Sequence, residues 1–166
     1  MTLLEIDVKH PLGAAARTPD LSTDLVYFKL LTESYQRLVG KPLVDPALGP
    51  TWLYRSARFI VVAHNTDPDP RFVYANQSAQ DLFGYGWEEF TSLPSRLSAE
   101  APDREERQRL LDAVGTNGFI ENYRGLRVRK SGARFWMEDG LVWQLMDADG
   151  KHRGQAATFS RWTDEV

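Results

Sequence analysis

Apolar residues near the start of the chain recur at steps of three and four positions, which is the spacing of one face of an α-helix. The residues that follow this spacing are Leu21, Leu25, Phe28, Leu31, Tyr35 and Leu38. Gly40 and Pro42 come next, and these residue types end helices. The pattern therefore predicts an amphipathic helix over 21–38, followed by a linker over the Pro- and Gly-rich residues 42–50.

The rest of the chain has the pattern of strands separated by turns and short helices. Runs of β-branched, aromatic or alternating apolar residues predict strands at 59–63, 72–74, 123–129, 134–145 and 155–162. Turn-forming residues join the first two strands and also the last three, so these neighbours are predicted to pair antiparallel. Asn76 is predicted to cap a short helix, Trp87 to begin another, and residues 103–114 to form a longer helix capped by Asp103.

This order of elements predicts an α+β fold: a five-stranded antiparallel sheet with helices across one face, preceded by the amphipathic helix. We divide the chain into a flexible arm over 1–20, a helical extension and linker over 21–54, and the main domain over 55–166. Apolar residues make up 42% of the 166 residues and charged residues 26%, which excludes a disordered or fibrous protein.

Charge and composition exclude several classes of function. The formal net charge is −3, so the chain lacks the strongly basic character of many nucleic-acid-binding proteins. The absence of cysteine excludes disulfides, thiolate zinc sites, iron–sulfur clusters and a cysteine nucleophile. The sequence shows neither an apolar run long enough to cross a membrane nor a secretory signal. We therefore expect a cytoplasmic protein with no membrane and no nucleic-acid partner.

Several stretches resemble the PAS family, and they occur in the order that this family shows. Residues 72–90 resemble its "YxNxxAxxLxGYxxEEL" motif, and residues 123–136 resemble its strand pair joined by a "KDG" turn. Asp149 and Gly150 before the last strand also fit the family. The resemblance covers about residues 55–164 and implies a PAS-like fold, in which a ligand can lie between the sheet and the helices.

Within the PAS superfamily, the chain resembles the MEKHLA-domain family. The stretches that carry this resemblance are 34–43, 93–100, 122–125 and 154–162, so it extends back to the first helix. It implies a sensor or interaction module of the small bacterial, stand-alone type, with no firmly assigned chemistry.

Residues 94–114 also resemble light-sensing LOV domains, in which this region carries a cysteine that attacks flavin. Ser95 stands at the position of that cysteine, so a thiol adduct is excluded. By the same resemblance, Arg127 and Met137 replace two asparagines and Phe159 replaces a glutamine that would hold the flavin ring. An amide side chain donates and accepts hydrogen bonds, whereas the side chains of methionine and phenylalanine cannot replace it in either role. We therefore expect no specific flavin binding.

Haem and metal ions are not expected either. In the PAS domains that bind haem, a histidine on the longer helix ligates the iron, but His10, His64 and His152 all lie outside residues 103–114. The acidic residues near His64 alternate with prolines, which favours a turn over a metal site. The sequence therefore leaves any cofactor unidentified.

In a LOV-like register, the alternation of strand residues points one set of side chains towards the helices. Together with Ser95, the candidate ligand-binding residues are Arg127, Met137, Asp139, Leu141, Ala157 and Phe159. Two alternatives stay open for Arg127 and Asp139 on adjacent strands. Arg127 receives an anionic group of a ligand, or the two residues form a closed ion pair in a ligand-free domain. A register shift of one residue would turn both side chains outward.

These observations favour a sensory or regulatory module that binds a small ligand and signals through protein contacts. The alternative is a ligand-free interaction module with an unidentified protein partner. An enzyme is disfavoured because the sequence offers no catalytic constellation and no G-x-S-x-G motif. We expect a homodimer whose contact is the apolar face of the first helix, formed by Leu21, Leu25, Phe28, Leu31 and Tyr35.

Overall fold

A computed structural model describes residues 19–99 and 101–166, with the side chains of residues 101–103 left out. The flexible arm predicted over 1–20 therefore lies almost entirely outside the described residues. The side chain of Asp103, which we predict as a helix cap, lies outside them as well.

The helices and strands follow one another in the predicted order. In chain order, the helices are α1 (Leu25–Val39), α2 (Pro50–Arg55), α3 (Gln77–Phe83), α4 (Trp87–Phe90), a 3₁₀ helix (Ser95–Ser98) and α5 (Ala101–Asn117). The strands are β1 (Ile60–His64), β2 (Phe72–Ala75), β3 (Phe119–Val128), β4 (Arg134–Met146), β5 (His152–Phe159) and β6 (Arg161–Asp164).

Two helices depart from the prediction. The sequence pattern does not predict α2, whose first residue Pro50 is tolerated because the first turn of a helix needs no proline N–H. The predicted longer helix begins earlier, at Ala101, and continues through Gly115, so Asp103 lies in its first turn and is not the predicted N-cap. A glycine inside a helix costs only about 1 kcal/mol, which packing against the sheet can outweigh. The backbone leaves the helix at Gly118, which has a left-handed φ of 92°.

The sheet is antiparallel throughout, with the strand order β2-β1-β5-β4-β3. The predicted hairpins β1–β2, β3–β4 and β4–β5 are all present. The strand predicted over 155–162 is interrupted at Ser160, and its second part is β6, which pairs with β4 alone. The predicted α+β fold is therefore confirmed, with β6 as a short addition to the five strands.

Helices cover both faces of the sheet. The helices α3, α4 and α5 pack on one face around buried residues such as Ile60, Phe90 and Val142. The helices α1 and α2 pack on the opposite face around Leu31, Leu53 and others. The first helix is thus a second layer on the same sheet.

The position of α1 corrects part of the predicted dimer contact. Leu31 and Tyr35 are buried against the chain's own sheet. The ring of Tyr35 meets the ring of Trp143 edge-on at a centroid distance of 5.0 Å, and the Trp143 indole N–H donates to the Leu31 carbonyl over 3.2 Å. Phe28 is half-buried in the same cluster. The apolar face of α1 is covered mainly within the chain, and Leu31 and Tyr35 are buried there instead of being exposed for a second copy.

Asn76 is fully buried and joins three elements. Its side-chain oxygen accepts from the N–H of Ala79 over 3.2 Å, which confirms the predicted cap of α3, and from the N–H of Val61 over 3.1 Å. Its amide nitrogen donates to the carbonyls of Phe59 and Leu53 over 2.9 Å and 3.3 Å. One side chain therefore fixes α3 against β1 and the end of α2.

Strands β3 and β4 each contain a bulge with an extra residue. Left-handed backbone marks the bulges, at Asn122 with a φ of 57° and at Asp139 with a φ of 48°. Phe135 and Met137 before the β4 bulge and Val142 after it all belong to the core under α3–α5. The inward-facing positions of β4 therefore change from odd to even numbers at the bulge.

Candidate functional site

A cavity of about 50 Å³ lies between the sheet and α5. Apolar side chains form most of its wall, among them Phe72, Leu110 and Val142. The polar side chains that line it are His64, Ser98, Arg107, Arg127 and Gln155. An apolar cavity with a few converging polar groups is the usual form of a small-molecule site.

The structure brings most of the predicted ligand-binding residues to this cavity. Arg127, Met137, Ala157 and Phe159 all line it. Ser95 is buried and contacts a guanidinium on its wall. The positions of the four strand residues agree with the alternation in the sequence, and the role of all five residues in ligand binding stays a prediction.

Asp139 and Leu141 do not lie at the cavity, so this part of the predicted site is wrong. Asp139 is exposed and forms an ion pair with Arg161 of β6. Leu141 packs with the apolar cluster under α1, on the opposite face of the sheet. The β4 bulge causes both errors because it reverses the alternation after Met137. Of the two alternatives for Arg127, the closed ion pair with Asp139 is therefore not formed.

Arg127 reaches the cavity from β3 and is buried, with 6% of its surface exposed. Its Nη1 donates to the carbonyl of Leu126 over 2.8 Å, and its Nη2 lies 3.4 Å from the hydroxyl of Tyr123. The guanidinium carbon is also 5.7 Å from the centre of the Tyr123 ring. These neutral contacts hold the side chain in place without neutralising its charge.

Arg107 of α5 is a second buried guanidinium at the cavity, and it is not among the residues predicted from the sequence. Its Nη2 donates to the hydroxyl oxygen of Ser95 over 2.8 Å. Burial, and then the nearby charge of Arg127, lowers the pKa of Arg107 to about 10. A signal for it was present, because Arg107 shares a helical face with Leu110 and Val114.

His64 and Gln155 also line the cavity and are directly opposite each other on β1 and β5. The Nδ1 atom of His64 lies 2.9 Å from the carbonyl of Asn65, and a carbonyl only accepts, so Nδ1 carries the proton. The Nε2 atom of His64 is then an acceptor. That atom and the Oε1 of Gln155 are buried without a hydrogen-bond partner among the described residues.

Among the residues that the structure describes, positive charge predominates around the cavity. No carboxylate within residues 19–99 and 104–166 forms an ion pair with Arg107 or Arg127. Burial, together with the charges of Arg107 and His152, lowers the pKa of His64 to about 4, so this side chain is neutral near pH 7. Two buried cations that no carboxylate of the described residues neutralises favour the entry of an anion.

Comparison with protein families matches residues 25–164 to the MEKHLA domain. The chain belongs to the MEKHLA domain family. The match runs from the first residue of α1 to the last residue of β6, so it includes both helical layers and the whole sheet. This confirms the resemblance that the sequence shows.

A curated relative of this MEKHLA chain is the bacterioopsin transcriptional activator of Halobacterium salinarum, which is 24% identical over 143 residues. The alignment covers 83% of this chain and 19% of that protein. The chain therefore spans about a fifth of the length of this relative.

Solved structures of PAS and LOV proteins share the fold. The PAS domain of a Colwellia psychrerythraea protein aligns with a TM-score of 0.56 at 16% identity, covering 68% of this chain and 90% of that one. The photo-excited blue-light photoreceptor Vivid aligns with a TM-score of 0.52 at 17% identity, and the alignment covers 76% of this chain and 90% of Vivid. The MEKHLA chain has a PAS-like fold, and modules of this family and fold are generally sensory and non-catalytic. A sensory or regulatory role is therefore supported.

The cavity as described is too small for a flavin. A volume of about 50 Å³ is far below the roughly 300–1,000 Å³ of common ligand pockets.

Within the described residues, no three side chains that could hold a metal ion lie together. None of the described helices is long and apolar enough to span a membrane.

Proposed function

We propose that this chain is a non-catalytic sensory module that binds a small molecule in the cavity between its sheet and α5. The supporting observation is that the Nε2 of His64 and the Oε1 of Gln155 are buried on the cavity wall with no partner in the described structure. Buried polar atoms without hydrogen bonds cost free energy. A molecule that pairs with them therefore stabilises the folded state.

Binding at this place is coupled to the position of α5. Arg107 and Leu110 reach the cavity from α5, whereas His64 and Gln155 reach it from the sheet. A ligand that contacts both sets of residues holds α5 against the sheet more firmly than the empty cavity does. We propose that a protein partner responds to this difference.

The variant Ala157→Val tests the proposal because Ala157 lines the cavity and is only half-buried. Differential scanning fluorimetry against a library of small metabolites compares it with the wild type. Compounds that raise the Tm of the wild type should have little effect on Ala157→Val, because its extra methyl groups occupy the cavity. The exposed variant Ala148→Val should respond like the wild type. Equal responses of all three proteins, or no response at all, would contradict the proposal.

A homodimer contact is a second proposal, and it concerns the N-terminal end of α1. Leu25 and Val26 are exposed at 54% and 78%, although both are apolar. Leu21 is half-buried beside them, on a shallow groove that Met146 also lines. We propose that a second copy of the chain covers this apolar end, because exposed apolar surface favours association.

Light scattering on the double variant Leu25→Asp, Val26→Asp tests the dimer. The double variant should be monomeric with an unchanged circular dichroism spectrum, while Gln36→Asp, also exposed on α1, stays dimeric. A monomeric wild type, or a double variant that stays dimeric, contradicts this contact.

A further inference from the structure

We infer that the cavity binds a small 2-hydroxycarboxylate, with its carboxylate at Arg107 and Arg127 and its hydroxyl donating to the Nε2 of His64 or the Oε1 of Gln155. This inference rests on the proposed function and names the chemical class of the ligand.

The two buried guanidiniums define the anionic end of the ligand. Arg107 and Arg127 are only 9% and 6% exposed, and they donate to the neutral acceptors Ser95, Leu126 and Tyr123. Each guanidinium has five N–H donors, so several remain for a ligand. No side chain in the described part of the chain supplies a counter-charge. A carboxylate supplies it and pairs with guanidinium groups through parallel hydrogen bonds.

The two unpaired acceptors define the other end. The Nε2 of His64 and the Oε1 of Gln155 need a donor, which a second carboxylate cannot provide. A hydroxyl group and an ammonium group can both donate. An ammonium group would bring another positive charge to a cavity that already holds two guanidiniums, so the hydroxyl is favoured.

The volume limits the size of the molecule. A cavity of about 50 Å³ corresponds to roughly four water-sized spheres. This space suits a ligand the size of glycolate or lactate and excludes extended dicarboxylates in the observed conformation.

Four probes of similar size separate the parts of the inference. Glycolate has the carboxylate and the hydroxyl, acetate lacks the hydroxyl, glycolamide lacks the charge, and glycine replaces the hydroxyl with an ammonium group. We would follow the methyl NMR signals of Met137 and Ala157 during titrations at constant ionic strength, up to about 50 mM, which covers weak millimolar ligands. Glycolate should shift both signals with saturation. We expect it to bind at least about tenfold more tightly than the other three, since a charge-assisted or buried hydrogen bond is worth that factor or more.

Two arginine variants of the same helix provide the matched comparison. Arg107→Met removes one guanidinium from the cavity and should weaken glycolate binding by at least about tenfold. Arg109→Met removes the same charge from an exposed residue that pairs with Glu106, and glycolate binding should be unchanged. Because Arg107→Met removes a buried charge and also the hydrogen bond to Ser95, its urea midpoint is compared with that of the wild type to confirm that the variant is folded.

The outcomes distinguish this inference from the proposed function. If glycolamide, acetate or glycine shifts the same methyl signals as strongly as glycolate, the 2-hydroxycarboxylate is wrong while a ligand-binding cavity stands. If Arg109→Met weakens glycolate binding as much as Arg107→Met does, the loss comes from the lower net charge of the protein and the inference is wrong. If no probe shifts the methyl signals of the wild type, the inference is also overturned, and the metabolite screen with Ala157→Val decides the proposed function separately.

Discussion

The guanidinium of Arg107 donates a hydrogen bond over 2.8 Å to the hydroxyl oxygen of Ser95, and both residues are buried. This contact links α5 to the 3₁₀ helix beside the cavity. It positions one of two buried cations on the cavity wall, where the other is Arg127. The resemblance to LOV domains places Ser95 at the position of their reactive cysteine. In this chain the hydroxyl of Ser95 orients the side chain of Arg107 instead.

Ser95→Ala should lower the free energy of unfolding by roughly 1.5–3 kcal/mol, because it removes a buried acceptor from a charged donor. Urea unfolding of the variant and the wild type measures the difference. Ser160→Ala, at an exposed position between β5 and β6, is the control and should change the value by less than about 0.5 kcal/mol. Equal stability of Ser95→Ala and the control means that the contact with Arg107 is not made in solution.

Asn76→Ala should be among the most destabilising single substitutions, with a loss of about 3 kcal/mol or more. It leaves buried backbone groups of Val61, Ala79 and Leu53 without this partner, and each such group costs about 1–3 kcal/mol. Asn117→Ala, at the exposed end of α5, is the control. A loss below about 1 kcal/mol in urea unfolding would contradict the role of Asn76 as the junction of β1, α2 and α3.

The stability of the protein should fall in acid partly through His64. Burial lowers the pKa of this side chain from 6.5 to about 4 in the folded state. Between these two pH values the unfolded chain binds a proton that the folded chain does not, so the free energy of unfolding decreases as the pH falls. Above about pH 6.5, His64 does not lower the free energy of unfolding. As the pH falls to 4, its titration lowers this free energy by roughly 2–3 kcal/mol.

Urea unfolding of the wild type and of His64→Asn from pH 7.5 down to about pH 4 isolates this contribution, because the carboxylates titrate in both proteins. Asparagine keeps a donor for the Asn65 carbonyl and removes the titrating ring. The wild type should lose more stability than the variant over this range. Parallel pH profiles would show that His64 is accessible to protons in the folded protein.

The β4 bulge is tested by Asp139→Val. A β-branched residue is strained at the left-handed φ of 48°, at a cost of about 1–2 kcal/mol, whereas Asp139→Gly should change stability by less than about 1 kcal/mol. Asp164→Val serves as the control. It also removes an exposed acidic residue that pairs with an arginine, but Asp164 lies in the regular strand β6 and not at a bulge. Equal losses for Asp139→Val and Asp164→Val would contradict the bulge.

Much of the fold follows from local patterns in the sequence. The helical spacing before Gly40 and the strand runs around Val61 and Val142 predict the elements and their antiparallel order correctly, because turns between neighbouring strands leave little choice of partner. The face of the sheet on which α1 packs could not be predicted this way. The burial of Leu31 and Tyr35 results from contacts with residues more than a hundred positions away, such as Trp143.

The cavity was only partly predictable for a related reason. Alternation places Arg127 and Met137 correctly, but it fails for Asp139 because a bulge has no reliable signal in the sequence. Arg107 was missed although its helical spacing with apolar residues marks it as inward-facing. His64 is not among the predicted ligand-binding residues, since only the strand pairing of β1 with β5 brings it to the cavity.

The most direct test of this account is a crystal structure of the protein grown in the presence of glycolate. The account predicts electron density for one glycolate in the cavity, with its carboxylate at Arg107 and Arg127 and its hydroxyl at His64 or Gln155. Density for ordered water alone in that cavity, at glycolate concentrations that saturate the methyl NMR shifts, would contradict it.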